Sequence, residues 1–311
     1  LRPSRIVPLA QEHDMRVTVL YNPEAGAGRI TRQRLTRLLE RAGYRATYHS
    51  AKGRTWKKAL EDPGDLVVVA GGDGTTAKVA KRLAGRGVPL AILPGGTANN
   101  IARSLALDAP LEELIARWRV APATPVDLGL ITGSWGEEMF FEAAGLGVFP
   151  RMLEIAAAYE KMSAEERAKA EEPLHGIELM IELVRSTPAR PWAVRADDRD
   201  LSGDYVMLEA MNIRQIGGAI DLAPAAVATD GLLHVIAVRE GDREPFLQYL
   251  REIRSGAVPS TSFASPATRI EIECAETVAH IDDEPWPEGR HTPANGRITI
   301  AIQPGAIEVL L

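Results

Sequence analysis

The sequence predicts an α/β domain with a doubly wound parallel sheet, followed by a mostly antiparallel β-sandwich domain. Three observations predict it. Residues 16–125 alternate short apolar runs with helical spacings, the rhythm of a parallel sheet wrapped by helices. In "DLVVVAG" (Asp65–Gly71) every residue after the aspartate is apolar, as a strand buried on both faces must be. After Val126, turn signals such as "ADDRDLSGD" and "TDG" separate β-branched pieces. The expected boundaries are 1–125 for the first domain, with 297–311 returning to it, and 126–296 for the second.

In chain order, "RVTVLY" (Arg16–Tyr21) reads as a strand. Thr31–Ala42 has helical spacing, with Leu35, Leu38 and Leu39 on one face and Gly43 as its stop. Tyr44–Ser50 is β-branched and aromatic, hence a strand, and a helix follows near Trp56–Leu60. Strand Asp65–Gly71, helix Ala77–Leu83, strand Pro89–Pro94 and helix Asn99–Leu105 complete the first series. In the second domain, strands are expected at Met139–Ala143, Trp192–Ala196, Asp204–Asn212, Leu232–Val238, Arg269–Glu273, Thr277–Ile281 and Arg297–Ile302. Met152–Val184 is a charged, helical excursion broken near Pro173. Its apolar face (Met152, Ile155, Tyr159, Met162) suits a lid or membrane-facing element, or ordinary packing of amphipathic helices.

Composition narrows the function classes. The chain has 311 residues, 45% hydrophobic and 25% charged, enough for two globular domains. A net charge of -6 gives no global basic field for nucleic acid. Cys274 is the only cysteine, which excludes an intrachain disulfide framework and a cysteine-based metal cluster. No apolar run approaches the ~20 residues that span a membrane. "LRPSRIVPLAQEHD" lacks the apolar core of a signal peptide, so the expectation is a cytosolic protein.

Three glycine-bearing turns follow predicted strands: "YNPEAGAGR" (Tyr21–Arg29), "AGGDGTT" (Ala70–Thr76) and "PGGTANN" (Pro94–Asn100). Open α/β sheets bind ligands at the carboxyl ends of their strands. Glycine lets the backbone approach a phosphate, and the next helix start offers N–H groups. Thr75 and Thr97 can donate to phosphate oxygens. One such turn is ordinarily just a turn; three on one sheet edge favour a phosphate site. Asp73 beside phosphate needs either a Mg²⁺ ion between them or a role as a helix N-cap.

These motifs, in this order and spacing, resemble the diacylglycerol kinase catalytic family, which includes sphingosine kinases, ceramide kinases and small bacterial lipid kinases. "FFEAAGLGVFP" (Phe140–Pro150), "NIRQIGGAIDLAPAAVATDGLLHV" (Asn212–Val235) and "IDDEPW" (Ile281–Trp286) extend the resemblance over nearly the whole chain. Gly-Gly-Asp-Gly-Thr alone is shared with NAD kinases. The resemblance implies a nucleotide domain like that of NAD kinase and diacylglycerol kinase, with ATP held by Asn22, Pro23, Gly26, Ser50, Gly71, Gly72, Asp73, Gly74, Thr75, Gly96, Thr97 and Asn99. It implies a catalytic Mg²⁺ at Asp73, a general base at Asp282 and its acidic neighbour at Glu284. It also implies a structural Mg²⁺ at Asp230, helped by the carbonyls of Val227 and Leu232. The plain alternatives are an acidic turn for Asp282–Glu284 and a turn into a strand for Asp230. The implied activity is ATP- and Mg²⁺-dependent phosphorylation of a hydroxyl on diacylglycerol, a sphingoid base, ceramide or a related lipid. The implied setting is cytoplasmic, peripheral at the inner membrane surface. The expected partner is a membrane lipid rather than nucleic acid, and a homo-oligomer is left open. The alternatives are a soluble-metabolite kinase of the NAD kinase type and an inactive nucleotide- or lipid-binding regulator.

Four positions, at three places in the chain, depart from the family pattern. Asn100 stands where many bacterial members carry Asp. Ala77 and Lys78 replace an Asn-Glu pair. Asp283 replaces the glycine between the catalytic acids, which is expected to constrain the backbone there and to restore part of the charge lost at Asn100. The departures favour a sphingoid or ceramide-like acceptor, or an unusual lipid, over diacylglycerol. Lys78, Lys81, Arg82 and Arg86 make a basic helix face, for anionic headgroups or simply for solvent.

Overall fold

Val67, Val68 and Val69 are each fully buried in β3 (Leu66–Gly71). A strand with no polar face has to lie inside a sheet covered on both sides. In the computed structural model, β3 pairs in parallel with β1 (Arg16–Tyr21) and β4 (Leu90–Pro94), and β1 pairs in parallel with β2 (Arg45–Ser50). The structure describes residues 15–28, 30–53, 55–163, 165–166, 175–275, 278–287 and 296–311. The expected break near Pro173 and the start of the expected strand at Thr277 lie outside them.

Two compact units emerge. The first runs to Leu128 and adds Ala228–Asp230 and Gln303–Leu311; the second comprises Gly129–Val227 and Gly231–Ile302. In the first, helices α1 (Arg32–Arg41), α2 (Thr55–Ala59), α3 (Asp73–Leu83), α4 (Asn100–Ser104) and α5 (Leu111–Arg117) connect and cover the strands. Thr31 caps α1, its hydroxyl accepting from the Arg34 amide at 3.2 Å, and Leu35 and Leu39 are buried beneath it. Helix α3 corrects the expected start at Ala77. Gly72 is extended and acts as N-cap, so Asp73, Gly74 and Thr75 already form the first helical turn. An acid at that turn suits the positive end of the helix dipole. Helix α5 was not expected, although Leu111, Leu114 and Ile115 carry helical spacing and are buried.

The second unit is antiparallel. Its strands are β5 (Ala123–Gly133), which begins in the first unit, β6 (Gly136–Phe140), β7 (Ala143–Gly147), β8 (Arg190–Ala196), β9 (Arg199–Asp200), β10 (Gly203–Met211), β11 (Gln215–Ile216) and β12 (Ile220–Asp221). They are followed by β13 (Leu233–Arg239), β14 (Ala264–Ala267), β15 (Arg269–Cys274), β16 (Ala279–Ile281), β17 (Glu284–Trp286) and β18 (Gly296–Leu310). The expected strand Met139–Ala143 is instead the end of β6, a bend at Phe141–Glu142 and the start of β7. The expected strand from Arg297 to Ile302 continues to Leu310. Its early residues pair antiparallel with β15 and Val309 pairs in parallel with Leu90 of β4. At the bend between, Gly305 has φ +60° and its amide donates to Asp127 Oδ1 at 2.7 Å.

Strand β10 explains the layering. Tyr205, Leu208 and Ala210 join a core with Trp192, Val194, Ile270, Ile272, Ile298 and Ile300, the interior of the sandwich. Val206, Met207 and Met211 face a second core built with α6 (Val148–Lys161), α7 (Gly176–Ser186) and α8 (Arg243–Arg254). Each fully buried aliphatic side chain contributes about 1.5–3 kcal/mol. Met152, Met180, Ile181 and Val184 are buried in this core, and Ile155 and Ile177 pack against it. The apolar face of the helical excursion is therefore largely spent on packing. Helix α8, with Phe246, Leu247, Tyr249 and Leu250 buried, completes that layer and was not expected.

Candidate functional site

Three loops meet at the carboxyl edge of the parallel sheet because glycine leaves room for them. Gly26 has φ +55°, and a Cβ on it would stand 2.2 Å from the Gly95 carbonyl oxygen. A Cβ on Gly96 would stand 2.7 Å from Gly72 Cα. The Gly95 amide donates to the Gly71 carbonyl at 2.8 Å, and the Asn22 amide to that of Ala70 at 3.0 Å. Asn99 holds the third loop: its Oδ1 accepts from the Gly96 amide at 2.8 Å and its Nδ2 donates to the Gly96 carbonyl at 3.0 Å.

A cavity of about 620 Å³ opens against these loops, lined by Asn22, Gly72, Gly74, Thr75 and Gly96 together with Lys52, Trp56 and Lys78. Of the expected nucleotide residues, five thus face one space. Gly26, Gly71 and Asn99 instead contact residues that line it or their neighbours, Gly26 and Asn99 at Gly96 and Gly71 at Thr75. Thr97 and Pro23 are exposed, and Ser50, at the end of β2, accepts from the Lys52 amide at 3.2 Å. Lys52 and Trp56 were missed. Their signal is positional: "SAKGRTW" leaves β2 at the same sheet edge as the glycine turns.

Asp73 is not the N-cap of its own helix, which is Gly72, but its carboxylate caps a different helix from outside. Its Oδ1 accepts from the Ile101 amide at 3.0 Å, at the start of α4. Burial pushes its carboxyl above the ordinary value, and the main-chain donors at Ile101, Asn100 and Asn99 partly pull it back. Asn is as good a cap as Asp. Asp73→Asn should therefore unfold within a few degrees of the wild-type protein. Any large loss of activity in that variant reports a need for the charge itself, measured as kcat beside the thermal midpoint.

In the second unit, Asp282 is 6% exposed on the turn between β16 and β17. Its Oδ1 accepts from the amides of Phe141 and Glu142 at 2.9 and 2.8 Å, and its own amide donates to the Ala143 carbonyl at 2.8 Å. The left-handed residue of this turn is Asp282, with φ 50°; Asp283 is not left-handed, so its replacement of glycine brings no backbone strain of that kind. Glu284 is exposed at the start of β17. Asp230 is exposed on the turn into β13, Val227 is exposed and Leu232 is half-buried. Among the described residues no group of three or more His, Cys, Asp or Glu side chains could hold a metal by themselves.

Behind the turn lies a pair that sequence reasoning did not find. His280, Gly145 and Glu209 sit opposite one another on β16, β7 and β10. Gly145 leaves a gap: a Cβ there would stand 2.1 Å from Glu209 Oε2. Across it, Glu209 Oε2 and His280 Nε2 are 2.7 Å apart, both side chains fully buried. His280 Nδ1 lies 2.8 Å from the Asp282 carbonyl, which can only accept, so Nδ1 carries a hydrogen. Two acceptors cannot face each other at 2.7 Å, so a second proton lies between Nε2 and Oε2. Burial pushes Glu209 up more than His280 pulls it down. Burial pulls His280 down, but the Glu209 charge and hydrogen bond carry it above its ordinary value. The pair thus keeps its shared proton after a free imidazole has lost its own.

In the unfolded chain that proton leaves near pH 6.5. The stabilisation is therefore complete below about pH 6.5 and is lost as pH rises toward the folded value, with a slope of at most about 1.4 kcal/mol per pH unit. Urea unfolding between pH 6.5 and 9 should show a falling stability in the wild-type protein and a flatter profile in the Glu209→Leu/His280→Phe double variant.

Comparisons with known proteins bear on both units. Residues 16–131 match the diacylglycerol kinase catalytic domain, and residues 157–311 match the YegS C-terminal NAD kinase beta sandwich-like domain. A Pseudomonas aeruginosa protein named "probable lipid kinase YegS-like" is 33% identical over 268 residues, 83% of this chain and 80% of that one. A Mycobacterium tuberculosis diacylglycerol kinase is 27% identical over 228 residues, 71% and 70% of the two chains. The crystal structure of a diacylglycerol kinase from Bacillus anthracis superposes with a TM-score of 0.68 at 21% identity, covering 95% of this chain and 96% of that one, which bears on the fold alone.

Proposed function

Because the chain belongs to the diacylglycerol kinase catalytic family of lipid kinases, of the YegS type, we propose that it transfers the γ-phosphate of ATP, with Mg²⁺, to a hydroxyl of a membrane lipid. The observation that carries this reading is the set of glycine loops at one sheet edge. Their missing side chains leave the backbone open to a cavity of about 620 Å³ that Lys52 and Lys78 also line. Main-chain N–H groups and ammonium groups are what polyphosphate requires.

The donor set fits a nucleotide. Asn22, Gly72, Gly74, Thr75 and Gly96 would cradle the phosphates, and the Trp56 side chain supplies apolar surface. For Mg²⁺ the fit is partial. Asp73 is already engaged with the α4 amides. Mg²⁺ takes most of its ligands from phosphates and water, so Asp73 would act on it from outside, and the ion would neutralise phosphate charge. The Asp230 turn with the Val227 and Leu232 carbonyls remains the proposed structural Mg²⁺ site. Asp282, held by two amides, would take the proton of the lipid hydroxyl. The oxygen then bonds the γ-phosphorus, the bond to the β-phosphate oxygen breaks, and ADP leaves.

Such an acceptor places the protein at a membrane surface as a peripheral visitor; no helix among the described residues is long and apolar enough to cross a membrane. The rival acceptor is a soluble metabolite such as NAD. Offering labelled ATP and Mg²⁺ with diacylglycerol, ceramide, a sphingoid base or NAD separates the two. Labelled lipid is expected, and labelled NAD phosphate alone would overturn the proposal.

A further inference from the structure

Asp282 has φ 50°. Aspartate visits the left-handed region more readily than most residues, and here its hydrogen bonds hold it there. Three hydrogen bonds tie it to the main chain where β6 joins β7. A side chain adds to these: His280 Nδ1–H donates to the Asp282 carbonyl at 2.8 Å. That bond needs the ring held in one orientation with a hydrogen on Nδ1, and the partner of Nε2 fixes the ring's other end. Here the partner is Glu209, reached across the gap at Gly145. The carboxylates acting on the ring are Glu209 and Asp283, and the Phe149 ring of α6 covers it with centroids 4.5 Å apart.

We propose that Glu209 and His280 are positioning residues for phosphoryl transfer, fixing the imidazole so that it clamps the Asp282 carbonyl and aims the carboxylate. The proposal rests on the reading of Asp282 as the base. The pair touches no reacting atom. Its burial beside Gly145 explains why a chain would tolerate a carboxylic acid inside a sheet: by sharing a proton with Nε2 it holds the ring in place with Nδ1–H on the Asp282 carbonyl, whereas an apolar residue would leave Nε2 without a partner.

Two variants separate the clamp from the packing. His280→Asn places an amide N–H near the position of Nδ1 and preserves the bond to Asp282. His280→Gln reaches the position of Nε2, preserves the contact with Glu209 and loses the clamp. His280→Asn should keep kcat within roughly tenfold of wild type, and His280→Gln should lose ~10²-fold, the scale of a misplaced catalytic group. KM for ATP should change in neither, because the glycine loops belong to the first unit. Equal kcat values in the two variants, or the reverse order, would overturn the proposal. Asp282→Asn is assayed alongside: full activity there sinks the base reading and this proposal with it, whereas an inactive Asp282→Asn beside a fully active His280→Gln sinks only the clamp. Should neither His280 variant fold, the ¹⁵N-histidine spectrum of the wild-type protein decides. A protonated Nδ1 at His280 is expected, and an Nδ1 without hydrogen would overturn the proposal.

Discussion

Asp282→Asn should leave ATP binding intact and lower kcat by ~10²–10⁴-fold, the usual contribution of a general base. The substitution is well matched to the structure. The amide oxygen of Asn can still accept from the Phe141 and Glu142 amides, so the turn keeps its anchors. What disappears is the capacity to accept a proton from an alcohol. The bend that supplies those amides, Phe141–Glu142, is held in turn by Asn212, whose Nδ2 donates to the Phe141 carbonyl at 2.8 Å. Pre-steady-state transfer beside equilibrium ATP titration checks the split. Retained transfer would return the acidic turn to a structural role.

Gly26→Ala should weaken ATP binding by tenfold or more. Two costs coincide at this position. The left-handed backbone disfavours any side chain, and the new methyl would meet the Gly95 carbonyl at 2.2 Å, main chain that cannot swing aside. Overpacking of that kind costs about 1–3 kcal/mol, and each 1.4 kcal/mol in loop placement is tenfold in affinity. Gly85→Ala is the control. Gly85 has φ +72° and open space around it, so it carries the backbone cost without the collision. Calorimetric titration with ATP should find Gly85→Ala close to wild type and Gly26→Ala far from it. Equal effects would mean that loop stacking does not shape the nucleotide site.

The parallel half was legible because its signals are local. The valines of β3, the helical spacing of α1 and the glycine turns each lie within a dozen residues. Even there "GGDGTT" looked like a turn when all but its first glycines are helix, since Gly, Asp and Thr at a helix start are the same residues that make turns. The expected strand Arg297–Ile302 runs on through Pro304; the chain bends at Gly305, where Asp127 holds it, and goes on into the parallel sheet. Helix α8 had its pattern in plain view, in "REPFLQYLREIR", and was overlooked among strands. The Glu209–His280 pair could not be read at all. Its members are separated by 71 residues, and only the register of three strands, with a glycine in the middle one, brings them together. Lys52 and Trp56 belong to the same class: ordinary residues in sequence, given a place by the fold.

The central claim is phosphoryl transfer to a lipid. The most direct test is to give the protein γ-labelled ATP, Mg²⁺ and a total membrane-lipid extract in micelles, then follow the label into the organic phase. The account predicts a labelled lipid, and its identity names the acceptor. ATP bound normally with no label in any lipid would contradict the claim and leave a nucleotide-binding regulator.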